Sequence, residues 1–138
     1  MTFWRCYYHF VWTTKYREPL MTPAIEAIVV QIIRAKSCDL GCEVLAINAV
    51  PDHLHVALAL TPAIAAARWV KMVKGTSSHA VNSLYPNAAV RFQSQEGYGA
   101  LTFGAKQIPY VMRYIECQKE HHAEGKTEAY LEQVGNAE

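Results

Sequence analysis

The run from His53 to Leu60, His-Leu-His-Val-Ala-Leu-Ala-Leu, constrains the fold of this chain more than any other stretch. It is apolar apart from its histidines, follows the turn-forming pair Pro51-Asp52, and stops before Thr61-Pro62. An apolar run of that length between turn signals reads as a buried β-strand. Side chains two apart on a strand share a face, so His53 and His55 project together and Leu54 points the other way. Two imidazoles on a rigid strand can hold one divalent metal ion. Alone, the pair is better read as histidines bonded to backbone at a strand edge, because a metal needs more than two ligands. The metal reading therefore depends on a third ligand and a reactive group elsewhere in the chain.

The elements around this strand follow from local signals. Phe3 to Thr14 is rich in aromatic and β-branched residues and reads as a long strand, closed by the basic, exposed segment Lys15-Tyr16-Arg17-Glu18-Pro19. Thr22 and Pro23 supply an N-cap and a first-turn proline for a helix to about Ser37, with Ile25, Ile28, Val29, Ile32 and Ile33 on one face. Glu43 to Val50 is a second apolar strand, joined to the histidine strand by the tight turn at Pro51-Asp52 as an antiparallel hairpin. Pro62 opens a helix through Trp69, Val70 and Val73 to about Leu84, and Tyr85-Pro86-Asn87 breaks it. Phe92 to Gly97 is loop-like, and Tyr98 to Phe103 reads as the last strand. Gln107 to His122 is a helix with Pro109 in its first turn. Gly125 ends it, and a short terminal helix is expected over Lys126 to Val134.

The order β-α-β-β-α-β followed by helices is the split βαβ, ferredoxin-like pattern. The expected fold is α+β: an antiparallel sheet with helices on one face and a C-terminal helical extension carrying a tyrosine. A chain of 138 residues, 51% hydrophobic and 18% charged, suits one domain over residues 1–138 with a sizeable core and argues against disorder. No apolar run is both charge-free and long enough to span a bilayer, and the start of the chain carries no secretory pattern, so a cytoplasmic protein is expected. Cys6, Cys38, Cys42 and Cys117 form no recognisable disulfide framework. The net charge of +1 is no blanket basic footprint, so nucleic-acid binding would need a local patch.

The late helix supplies the missing chemistry. Tyr114 and Gln118 are four apart and share a helix face, with Tyr110 one turn earlier as a rival nucleophile. On its own this is an ordinary amphipathic helix. Combined with the strand, His53, His55 and Gln118 can hold a metal that polarises a phosphoryl group, while Tyr114 attacks phosphorus to form a phosphotyrosine. Such a bond conserves the energy of the phosphodiester, so strands can be rejoined without ATP.

Three stretches in this order carry a family resemblance: Tyr7-Tyr8-His9-Phe10-Val11-Trp12-Thr13-Thr14-Lys15-Tyr16-Arg17, then Pro51-Asp52-His53-Leu54-His55, then Tyr114-Ile115-Glu116-Cys117-Gln118 with His121-His122. From Tyr7 to His122 the chain resembles the single-tyrosine HUH transposases of the insertion-sequence 200/605 type and their relatives associated with repeated extragenic palindromes. The resemblance implies a ferredoxin-like domain that forms a homodimer by joining sheets. It implies binding of single-stranded DNA hairpins, cleavage of one strand to a 5′-phosphotyrosine and a free 3′-hydroxyl, and use of Mg²⁺ or Mn²⁺. It also implies that the tyrosine helix of one subunit can serve the active site of the other. His53, His55 and Gln118 would be the ligands, Tyr114 the nucleophile, and Leu54 the hydrophobic middle letter of HUH.

For DNA contacts, Lys15 and Arg17 after the first strand and Arg68, Lys71 and Lys74 along the second helix are the candidates, with phosphate as their target. A solvated helix face explains the last three about as well. Trp69 reads as core rather than a base-stacking platform. His79, His121 and His122 fit either DNA or metal-site contacts or an exposed helix. Glu96-Gly97-Tyr98-Gly99 reads as a strand entry. Two rival functions differ in class: a non-catalytic or host-retained hairpin-binding protein of the same fold, and a phosphoesterase using histidines as acid and base. The latter usually wants two separated histidine motifs, and the sequence has one.

Overall fold

The structure, a computed structural model, describes residues 2–125 and 127–134. Four strands form one antiparallel sheet: β1 (Tyr7–Thr13), β2 (Glu43–Val50), β3 (His53–Ala59) and β4 (Gly99–Phe103), in the spatial order β2-β3-β1-β4. Helices α1 (Pro23–Asp39) and α2 (Ala66–Leu84) follow β1 and β3. Two short helices, α3 (Ile108–Glu116) and α4 (Gln118–Glu124), close the chain together with a 3₁₀ turn at Ala129–Leu131. This is the α+β, ferredoxin-like arrangement expected from the sequence, and the β2–β3 hairpin spans the expected residues.

The alternation of side chains divides the sheet into two faces. Phe10 and Trp12 of β1, Leu54, Val56 and Leu58 of β3, Val29 and Ile33 of α1, and Trp69 and Val73 of α2 form the main core between sheet and helices. Phe10 stacks on Trp69 at 4.7 Å between ring centroids, and Trp69 Nε1 donates to Ser37 Oγ at 2.9 Å. Trp69 is thus core, as the sequence suggests. The opposite face carries His9, His53 and His55 and a smaller apolar cluster in which Ala46 and Ala57 meet Val111 and Ile115 of α3. The tyrosine helix therefore lies across the histidine face, away from α1 and α2.

Several boundaries differ from expectation for visible reasons. β1 begins at Tyr7, not Phe3, because Tyr7 already pairs with Ala59 and Phe103 at the ends of both neighbouring strands. α2 begins at Ala66, not Pro62, because Thr61 to Ile64 are used in a turn in which Thr61 accepts from Ala63 N and Ile64 N, each at 3.3 Å. The expected Gln107–His122 helix is interrupted at Cys117, whose φ of −98° and ψ of 18° separate α3 from α4. Gly125 ends α4 in the left-handed region at φ 70°, as its place in the sequence suggests. The expected terminal helix is only the 3₁₀ turn. Leu131 is buried there, and Glu128 and Glu132 turn to the tyrosines, so residues 127–134 run as a strap along the histidine face. Lys126 lies outside the described residues.

Candidate active site

The β2–β3 turn sets the height of the histidine pair. Thr14 N and Thr14 Oγ1 donate to Asp52 O at 2.9 and 3.2 Å, and Met21 N donates to Pro51 O at 3.0 Å, which ties the turn to the end of β1. His53 and His55 then follow on one face, 5% and 0% exposed. Each ring is gripped at Nδ1: His53 by Asp52 Oδ1 at 2.7 Å, His55 by His9 Nε2 of β1 at 2.8 Å. Their Nε2 atoms are left to face outward from the sheet.

Both Nε2 atoms meet Glu132 Oε1 of the strap, at 3.2 Å from His53 and 3.1 Å from His55. His122 of α4 adds its Nε2 at 3.1 Å from that of His53 and 3.4 Å from Glu132 Oε1. The other carboxylate oxygen, Oε2, accepts a short hydrogen bond from the Tyr114 hydroxyl, which itself accepts from Glu128 N at 2.9 Å. Nucleophile candidate and histidines thus converge on one carboxylate. Tyr110 is 48% exposed and donates to Glu128, outside that cluster.

The electrostatics follow from this packing. Burial of the Tyr114 ring, reinforced by the Glu132 carboxylate, pushes the phenol up to about 12. Burial would raise Glu132 as well, but hydrogen bonds from His53, His55 and Tyr114 outweigh it and hold the carboxyl below its ordinary range. Burial opposes the charged form of His53, yet the hydrogen bonds to Glu132 and Asp52 raise it above its ordinary value. Burial dominates at His55, which lies below it. His9, buried beside His55, is lowered to about 3.

The donor set suits a divalent cation. One ligand atom from each of His53, His55, His122 and Glu132 lies within 4.8 Å of all the others, and imidazole with carboxylate oxygen is a mixture that manganese-type ions accept. Gln118 is fully buried, donates through Nε2 to Tyr114 O at 3.3 Å, and leaves its Oε1 without a partner among the described residues. A buried amide oxygen with nothing to bond is a poor structural choice and a natural place for a ligand atom.

The sequence joins His53 and His55 on the strand with Tyr114 and Gln118 on the late helix; the structure brings Tyr114, His53 and His55 to the Glu132 carboxylate and buries Gln118 against Tyr114 O. Sequence reasoning missed Glu132 and His9 and left His122 and His121 undecided. The structure places His121 against the Tyr114 ring, with centroids 4.9 Å apart, and leaves His79 exposed on α2. Nothing local marks Glu132, since its part in the site depends on the strap crossing the sheet. His9 had a signal: it is a histidine within an otherwise aromatic and apolar strand.

The five basic candidates separate. Lys15, Lys71 and Lys74 line an open groove of about 430 Å³ with Gly97 and Tyr98. Lys74 Nζ is tied to Gln95 O and Gly97 O at 2.8 and 2.7 Å, and burial lowers it to about 8. Arg17 instead pairs with Asp52 at 3.6 Å, and Arg68 is exposed outside the groove lining.

Residues 2–118 match the family model described as IS200-like transposases. The chain is 29% identical over 115 residues to the ISDra2 transposase TnpA of Deinococcus radiodurans, covering 80% of this chain and 82% of that one. It is 27% identical over 130 residues to the transposase of insertion sequence IS200 from Salmonella typhimurium, covering 91% and 84%. Among solved structures, a Deinococcus radiodurans protein described as a transposase superposes with a TM-score of 0.69 at 23% identity, covering 93% of this chain and 95% of that one. A REP-associated tyrosine transposase bound to a REP hairpin superposes with a TM-score of 0.65 at 15% identity, covering 100% and 94%.

Proposed function

Given that this chain belongs to the IS200-like transposase family, we propose that it cleaves and rejoins single-stranded DNA through Tyr114, at sites marked by DNA hairpins. The observation that carries this reading is the convergence of the Tyr114 hydroxyl and the Nε2 atoms of His53 and His55 on the single carboxylate of Glu132. A site that seats one carboxylate with an oxygen against two imidazoles and the other against a phenol has the chemistry to seat another anionic group. A phosphodiester in that place would have its phosphorus beside the tyrosine oxygen once the strap residue withdrew.

His53, His55 and Gln118 are the proposed ligands of Mg²⁺ or Mn²⁺, with His122 within reach of the same point. A divalent cation held there supplies Lewis-acid polarisation of the phosphoryl oxygens and offsets developing negative charge. Asp52 and α3 fix the orientation of the groups around it. In the cleavage step the Tyr114 oxygen forms a bond to phosphorus and the bond from phosphorus to the 3′ oxygen breaks. The phenol gives up its proton, the departing 3′ oxygen takes one up as a hydroxyl, and the 5′ phosphate stays on Tyr114. Rejoining is the reverse, with an incoming 3′-hydroxyl as nucleophile. The groove of Lys15, Lys71 and Lys74 is the proposed track for DNA phosphates, and Arg17 and Arg68 flank it. A homodimer joined through a sheet edge, in which the tyrosine helix can serve the partner subunit, completes the proposal; within the described chain Tyr114 sits with its own His53 and His55.

The test is a denaturing gel of the protein mixed with single-stranded DNA from the regions flanking its gene, with and without Mn²⁺. A metal-dependent covalent protein–DNA band is expected, lost in Tyr114→Phe while hairpin affinity stays within about threefold, or ~0.65 kcal/mol. Tight hairpin binding with no adduct would turn the assignment to a hairpin-binding protein without strand chemistry. An adduct that survives in Tyr114→Phe would move the nucleophile to Tyr110.

A further inference from the structure

We propose that His9 is a positioning residue for the metal centre: it accepts the Nδ1 proton of His55 and so presents the lone pair of His55 Nε2 to the divalent cation. This rests on the metal site proposed above and adds to it a residue of β1.

The argument starts from register. Val11 stands opposite His55 and His9 opposite Ala57, so His9 sits diagonally next to His55 on the same face of the sheet. Its Nε2 lies 2.8 Å from His55 Nδ1, and both rings are buried, at 1% and 0% exposure. A neutral imidazole carries one proton, and the partner of one nitrogen decides what the other can do. For His55 Nε2 to act as a ligand, Nδ1 must hold the proton and needs an acceptor. Among the described residues His9 Nε2 is the acceptor at hand. Asp52 performs the same service for His53, at 2.7 Å from its Nδ1. The two histidines of the motif are therefore gripped in parallel, one by a carboxylate at the turn and one by a neutral ring in the sheet. At a position this buried, a second carboxylate would place an unpaired charge in the interior, which an imidazole avoids.

The pairing carries a cost that both of its arrangements share. His9 Nδ1 is buried without a hydrogen-bond partner. With Glu132 seated, His55 Nε2 donates to the carboxylate, His9 Nε2 donates to His55 Nδ1, and His9 Nδ1 is left as a bare acceptor. With a cation seated, each ring shifts its proton to the other nitrogen, the hydrogen bond between the rings reverses direction without being lost, and His9 Nδ1 becomes a donor that is still without a partner among the described residues. A group at position 9 that can both donate and accept, as an imidazole can, serves both arrangements; a Phe of similar shape serves neither.

The experiment measures Mn²⁺ binding by electron paramagnetic resonance of the free ion, on the full chain without DNA. His9→Phe is expected to weaken Mn²⁺ binding by about 10- to 100-fold, the range for loss of a partner behind a metal ligand. His9→Gln, which keeps an acceptor, should recover most of the affinity, and thermal melting is the control for folding. Equal binding in His9→Phe and the unaltered protein would overturn the assignment while leaving the metal site intact. No Mn²⁺ binding by the unaltered protein would overturn the metal site itself, and the role of His9 with it. Nitrogen-15 NMR of the unaltered protein titrated with Zn²⁺ tests the required tautomer without any variant. His55 should hold its proton on Nδ1 when loaded, and a proton found on Nε2 would overturn the proposal.

Discussion

Tyr114 sits where burial and Glu132 outweigh the hydrogen bond from Glu128 N and disfavour its ionised form. Its ring is buried, and its hydroxyl donates to a carboxylate that keeps its own negative charge. The sign follows directly: a neighbouring anion penalises tyrosinate, so the phenol keeps its proton where an exposed tyrosine, near ~10, would be half ionised. Glu132→Ala should lower the Tyr114 midpoint from about 12, with burial still holding it above the ordinary value. Carbon-13-labelled tyrosine followed by NMR across alkaline pH reads this, and an unmoved midpoint would show that Glu132 does not control the phenol. Gln118 carries the opposite kind of tension. Its unpartnered Oε1 is a buried acceptor whose desolvation costs about 1–3 kcal/mol. Gln118→Met, similar in shape and free of that oxygen, should melt at the same temperature or higher despite losing the bond to Tyr114 O, and should lose metal-dependent adduct formation. A clear drop in melting temperature would mean that the amide is structural.

At the scale of elements, the site is assembled from pieces with different ties to the sheet. The β2–β3 hairpin is fixed by hydrogen bonds and by the burial of β3 on both faces, and its bounds were legible because Pro51-Asp52 and an eight-residue apolar strand leave little choice. The strap was not legible. Residues 127–134 have weak helical patterning, and their path is decided by Leu131 finding a buried position and by Gln133 lying on β4. A Cβ built at Gly99 would collide with the Gln133 carbonyl and come within 2.9 Å of Val11 Cγ1. Gly99→Ala is therefore expected to lift the strap while leaving the sheet in place. Limited proteolysis should cut near the C-terminus faster in this variant, with far-ultraviolet circular dichroism unchanged. Unaltered proteolysis would show that the strap can shift without undocking. The interruption at Cys117 is equally a tertiary matter: the sequence carries no Gly or Pro there, yet it separates α3 from α4, which brings His122 to the site.

For the whole molecule, stability and chemistry lie on opposite faces of one sheet. The large apolar cluster under α1 and α2 contains most of the buried bulk, and Ile33 at its centre is fully buried. Ile33→Ala should destabilise the chain by about 2–5 kcal/mol, measured by urea unfolding, because the helices cannot collapse into the space left. A loss below 1 kcal/mol would mean that they can. No helix among the described residues is long and apolar enough to cross a membrane. Sequence alone determined what is periodic and local: the strand and helix order, the sharing of a face by His53 and His55, and the apolar faces that choose this fold. Tertiary structure decided which distant residues complete the site. Antiparallel register, not proximity in sequence, sets His9 behind His55, and the strap brings Glu132 to Tyr114 across the sheet. Local spacing fixes the direction in which a side chain points, whereas the group it meets depends on how strands pair and where the end of the chain can bury its last leucine.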